Sequence, residues 1–171
     1  YEIYEEICGA RLTTNFGRVG GFERDFNDIA ILKTKKFLAT FPKIMRSFEE
    51  LFNRNRIFID RTVGVGAISA EKALNYGFTG PCLRATGIDY DVRTANPYSS
   101  YNEFDFEIPV GSTGDCFDRF LVRMEEIRQS ISIIEQAADK MPEGPFMTDE
   151  RMMHFPDKKD VYGNIEGLID H

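Results

Sequence analysis

Histidine and tryptophan are nearly missing from this sequence: 171 residues contain His154, His171 and no tryptophan. Cysteine is scarce too. Cys8, Cys82 and Cys116 are far apart, odd in number and without any Cys-x-x-Cys pair or clustered histidine, a donor set that does not make a zinc or iron-sulfur site by itself. They read as small, partly buried free thiols kept reduced. Positive charge is also short. Lys and Arg number 21 against 28 Asp and Glu, a net charge of -7, which argues against a general nucleic-acid binder because such affinity comes from cations neutralising phosphates. No run approaches the roughly 20 apolar residues that span a bilayer, and the opening YEIYEEICGA is no signal peptide, so the chain reads as soluble. It has no initiator Met, begins in what reads as the middle of a helix and stops just after Leu168 and Ile169. On that pattern it reads as an excised piece of a longer chain.

What is present suits one domain, residues 1–171. A hydrophobic content of 42% with 13% aromatics is enough to bury a core, so disorder is not expected. Two long helices are predicted. The first spans about Asp25 to Asn53, with Phe26, Ile29, Ala30, Phe37, Phe41, Ile44, Phe48 and Leu51 as its apolar face. Pro42 should kink or break it near Thr40 into two pieces. The second runs from an Asp115 N-cap to about Lys140, with an apolar stripe of Phe117, Phe120, Leu121, Met124, Ile127, Ile131, Ile134 and Ala138. On its side Arg119, Arg123 and Glu126 stand at spacings that allow a ladder of ion pairs, either solvated or covered by a partner.

Between the helices, Ser69 caps a short helix ending at Gly77. Asn96-Pro97 starts a turn, and Phe104, Phe106 and Ile108 alternating with Asp105 and Glu107 predict one short strand. After Pro142 the residues to about 160 read as an exposed excursion, followed by a last helix near Val161 to Ile169. The fold class is mainly α with a minor β part, a long-helix bundle with long loops.

The stretch CGARLTTNFGRVGGF, residues 8–22, looks at first like a phosphate-binding loop. It lacks both the strand-Gly-x-Gly-x-x-Gly-helix order of a dinucleotide site and the Gly-Lys-Ser/Thr of a triphosphate loop. Gly17, Gly20 and Gly21 instead supply backbone angles for a tight turn that holds Arg18 outward.

The same stretch resembles the Gly-Ala-Arg and Arg-Pro-Gly-Gly signature of the D-subunit family of NADH-quinone oxidoreductase, respiratory complex I, related to nickel-iron hydrogenase large subunits. ISAEKALNYGFTGPCLRATGIDYDVR and YNEFDFEIPVGSTGDCFDRFLVRMEEIRQSISIIEQ are similar to the family's stretches in the same order, so the resemblance covers nearly the whole chain. It implies a piece from the interior and C-terminal half of that polypeptide. In the family, electrons from NADH, bound elsewhere in the complex, reach a terminal iron-sulfur cluster held by the adjacent B subunit. They then reduce quinone in a cavity between the B and D subunits, coupled to proton translocation.

The resemblance further implies the B, C and I subunits and the membrane-embedded H subunit as partners, no nucleic acid, and a peripheral position on the cytoplasmic face of the bacterial inner membrane. It implies no cofactor bound by these residues alone, and no catalytic or metal-ligating residue among them. The family's quinone-headgroup His and Tyr fall before Tyr1 and the segment corresponding to the hydrogenase's C-terminal metal ligands falls beyond His171, so the chain by itself is expected to be inactive.

Carried over by motif, Arg11, Arg18, Gly20 and Gly21 match the turn that faces the cluster and quinone, where a guanidinium would stabilise added negative charge. The alternative is that these arginines only pair with acids to fix the turn. Arg84 is a further candidate for the same environment, or a structural pair. Thr13 stands where many members have His, which implies a cluster potential with weak pH dependence, as suits menaquinone. Val19 replaces the usual Pro, and Ala85-Thr86 replaces Gly-Ser. Two other classes remain beside the electron-transfer subunit: a scaffold that only docks neighbours, and a hydrogenase-like metal enzyme, which would need paired Cys-x-x-Cys motifs.

Overall fold

A computed structural model describes residues 1–150 and 156–169; His154 and His171 lie outside the described residues. The protein is mainly α with one two-stranded sheet. In chain order come α1 (Glu2–Cys8), β1 (Gly17–Arg18), β2 (Gly21–Phe22), α2 (Asp28–Phe52), α3 (Arg56–Thr62), α4 (Ala70–Asn75), α5 (Gly80–Arg84), α6 (Val92–Ala95), α7 (Cys116–Asp139), α8 (Lys158–Gly163) and α9 (Ile165–Ile169), with a 3-10 turn at Tyr101–Glu103. The chain forms two compact units, Tyr1–Lys36 with Met141–His171, and Phe37–Lys140. α2 contributes to both.

In the first unit, α1 ends at Gly9, whose φ of 71° is the left-handed cap that glycine adopts without a side-chain penalty. The Glu6 carboxylate receives Lys33 Nζ at 2.6 Å, and this bond, helped by Asn27, holds its pKa below the usual range. Asn27 also caps α2 by accepting from the Ala30 N–H at 2.8 Å. Ile7 and Ala30 are buried in this unit. The final helix predicted at Val161 to Ile169 is two short ones, because Asn164 adopts extended angles and ends α8.

In the second unit, α7 matches the prediction closely. Asp115 accepts the Asp118 N–H at 2.8 Å and the Gly64 N–H at 2.7 Å, which ties the helix start to the glycine loop after α3. Phe52, Phe58 and Phe120 stack into a cluster with centroids 5.0–5.9 Å apart, fixing the end of α2, α3 and α7 together. Ser69 caps α4 as expected, accepting from the Lys72 N–H.

Four expectations are corrected. α2 runs unbroken through Pro42. Proline forfeits one helix hydrogen bond, but the turns on either side keep theirs, and the Phe37–Phe41 ring pair and the buried Leu38 and Met45 offset the loss. The buried stripe of α2 is Ala30, Thr34, Leu38 and Met45; Ile29, Phe37, Ile44, Phe48 and Leu51 are exposed, so the predicted apolar arc is real but only its far edge is covered. Residues 104–108 do not form a strand; the sheet lies instead in the Arg18 turn. The α7 ladder is also absent, since Arg119 binds the Gly114 and Gly66 carbonyls, Arg123 binds the Arg119 carbonyl, and Glu126 turns inward to Arg84.

Candidate functional site

The predicted site residues fall on two different units. Arg11, Thr13, Arg18, Gly20 and Gly21 belong to the first, and Arg84 to the second. In the first unit β1 and β2 pair antiparallel with Gly17 opposite Phe22 and Arg18 opposite Gly21, so Val19 and Gly20 form a two-residue hairpin turn. Gly20 has φ 87°, the positive angle that the second turn position demands and that glycine adopts without a side-chain penalty. Gly21 is required for a different reason. A Cβ there would lie 2.3 Å from the Phe146 carbonyl oxygen, because residues 146–148 add as a third strand-like segment through Phe22 N–H to Phe146 O and Thr148 N–H to Gly20 O.

This backing leaves Arg18 at the end of β1, next to the turn, with its side chain 43% exposed. Its partner is Glu23 at 3.2 Å, and the guanidinium holds that carboxyl below its usual pKa, aided by Arg24. Arg11 is exposed and pairs loosely with Glu5 at 3.5 Å; Thr13 is exposed in the connecting loop. Exposed pairs of this kind are screened by water and contribute little, so Arg18 can exchange Glu23 for another anion at little cost.

Arg84 is the opposite case. It is only 5% exposed, pairs with Asp91 at 3.2 Å and with Glu126, and donates to the Tyr90 carbonyl at 2.9 Å. Arg93 binds Asp91 through two side-chain bonds of 3.0 and 2.6 Å. Those bonds from Arg93 are the main reason the Asp91 carboxyl is held below its usual pKa and the Arg93 guanidinium above its own. The four charges line a cleft of about 500 Å³ with Thr79, Tyr98 and Ser130. Arg84 Nε is buried there with no partner among the described residues. Sequence reading missed Asp91 and Arg93; the Asp-x-Arg spacing of DYDVR was the available signal, since an acid capping a short helix can also receive the arginine two residues on.

The thiols are spread as the spacing suggested. Cys116 Sγ lies 3.2 Å from an Arg119 nitrogen and Cys82 Sγ 3.7 Å from one of Arg123. Among the described residues no group of three or more His, Cys, Asp or Glu is placed to hold a metal ion.

The whole chain, residues 1–171, matches the family described as the 49 Kd subunit of respiratory-chain NADH dehydrogenase. The chain belongs to that family. The second D subunit of NADH-quinone oxidoreductase in Cytophaga hutchinsonii is 62% identical over all of this chain and 44% of its own length. The D subunit of Flavobacterium johnsoniae is 60% identical, again over the whole chain and 42% of the relative. That of Myxococcus xanthus is 52% identical over 97% of this chain and 40% of its own. The chain therefore spans about two fifths of the D-subunit relatives it matches. No described helix of this D-subunit family member is long and apolar enough to cross a membrane.

Proposed function

We propose that this chain is the part of a D subunit that, with the B subunit, forms the quinone-reduction site of NADH-quinone oxidoreductase at the inner membrane. The observation that carries the reading is Arg18: a backbone-braced hairpin tip, in a chain that matches the family end to end, presents a cation whose partner contact is replaceable. Quinone, probed best as menaquinone, supplies the two-electron acceptor chemistry when bound, and the terminal cluster belongs to the B subunit. The role of Arg18 is to offer a fixed positive charge where negative charge accumulates. Two unit charges 4 Å apart attract by about 1 kcal/mol in water and about 4 kcal/mol at a protein-water boundary, so burial under the B subunit would strengthen it several-fold. Gly20 and Gly21 set its position, and Arg11 is a second exposed cation in the same unit.

Thr13 has no group that titrates near neutrality, so the cluster facing it should show a nearly pH-independent potential. Thr13→His should introduce a dependence that approaches about 59 mV per pH unit, the value for one proton per electron. Redox titration at two pH values checks this, and full proton coupling in the unaltered complex would sink it.

A scaffold role is the second reading. It is favoured by the exposed stripe Phe37, Ile44, Phe48 and Leu51 on α2, a contiguous apolar surface of the kind that meets neighbours such as the C, I and H subunits. Arg18→Ala in the assembled complex separates the two. Normal assembly with lost quinone reduction supports the site; lost assembly supports the scaffold.

A further inference from the structure

Residues 104–108, Phe-Asp-Phe-Glu-Ile, have the alternation of a strand and enter it with Phe104 in extended angles, yet no strand pairs with them among the described residues. One edge is already occupied by side chains of α7. Gln136 Oε1 accepts the Asp105 N–H at 2.9 Å while Gln136 Nε2 donates to the Asp105 carbonyl at 2.6 Å, the double exchange that a neighbouring strand residue would make. Gln129, one heptad earlier on the same side of the helix, accepts the Glu107 N–H at 3.0 Å.

In an extended chain the N–H and C=O of alternate residues point to opposite edges. With Asp105 and Glu107 committed to α7, the polar backbone of Phe106 and Ile108 faces the other way, and it has no hydrogen-bond partner among the described residues. The side chains are sorted as well. Phe104, Phe106 and Ile108 are half-buried, Phe106 under the Arg93 guanidinium at 4.9 Å, while Asp105 and Glu107 are exposed. An edge braced on one side and unpaired on the other is a template for strand addition.

We infer that the outer edge of residues 104–108 receives a β-strand carrying Lys or Arg beside Asp105 and Glu107, and that this strand comes from the remainder of the full-length D subunit. Cross-strand neighbours of opposite charge stabilise and like charges repel, so a second copy of the same segment, which would set acid against acid, is a poor occupant. The source follows from length: relatives of which this chain covers 42–44% have more than half of their residues outside the matched region. The inference rests on the reading of this chain as part of a D subunit.

Hydrogen exchange in the intact purified complex, with fragmentation to resolve single amides, tests the pairing. Phe106 and Ile108 should exchange about 100-fold or more slower than an unstructured chain, because strand hydrogen bonds must open first. Exchange of Phe106 and Ile108 near the unstructured rate overturns the pairing. Where they are protected, density for the same complex decides the source: a strand of the D subunit supports the assignment, and a strand of any other polypeptide or a non-strand cover overturns it. A complex that lacks this chain altogether defeats the proposed function instead, so the two failures are distinct.

Discussion

Arg18 and Arg84 are the same residue type held in two contrasting ways, one in each compact unit. Arg18 is placed by backbone: a two-residue turn, a glycine with no room for a side chain and a bracing segment fix its Cα while the guanidinium stays half-exposed with Glu23. Arg84 is placed by side chains, in an ion cluster with Asp91 and Glu126 from which solvent is nearly excluded. A cation held by its backbone can change partners without disturbing the fold. One enclosed by carboxylates cannot, because removing it leaves Glu126 without its cation partner.

The largest effect should come from breaking the enclosed arginine. Arg84→Ala strips Glu126 of its ion-pair partner while Asp91 keeps its two bonds from Arg93, with an expected loss of about 3 kcal/mol, read as a fall in the unfolding midpoint or in the yield of folded protein. Arg84→Lys should recover only part, since one ammonium cannot reproduce the forked contacts. Next comes Gly21→Ala, which drives a Cβ into the Phe146 carbonyl at a glycine with φ 149°. Displacing that segment should cost about 1–3 kcal/mol and expose residues 146–148 to proteolysis.

Acidification probes the second unit from another side. Burial pushes Asp115 and Asp118 up, but backbone N–H donors outweigh it, from Asp118, Gly64 and Phe117 for the first and from Thr113 and Ser112 for the second, so both titrate below the ordinary range. Asp91 is lowered by Arg93. Their stabilisation is complete above the unfolded value of about 4 and is lost as pH falls through the lower folded values. Denaturant midpoints at falling pH should therefore drop only below about pH 4. Asp115→Ala should cost about 1–2 kcal/mol at neutral pH and flatten that drop. Smallest of all is Arg18→Ala, which should leave the unfolding midpoint essentially unchanged.

The two arginines also show what the residues alone reveal. The α7 cap and course, the α4 cap and the hairpin's glycines were readable because each depends on neighbours close in sequence: Asp115 before a periodic run, Ser69 before Ala70, and paired glycines after Arg18. The Arg84 cluster was only half readable. Its partners come from residues 91 and 126, and Glu126 has an equally plausible use on its own helix, where spacing suggests pairs with Arg123. The α2 stripe was misplaced for a related reason: its apolar arc is wider than the strip that this chain covers. The strand pattern at 104–108 was legible in composition, but its partner on one side is two glutamines that no periodicity rule anticipates.

Quinone turnover per assembled complex, measured for Arg18→Ala beside the unaltered enzyme, tests the contrast most directly. A replaceable, backbone-held cation at the quinone site predicts at least a tenfold loss of turnover with the amount of assembled complex and its thermal stability unchanged. Undiminished turnover in a fully assembled Arg18→Ala complex would contradict it.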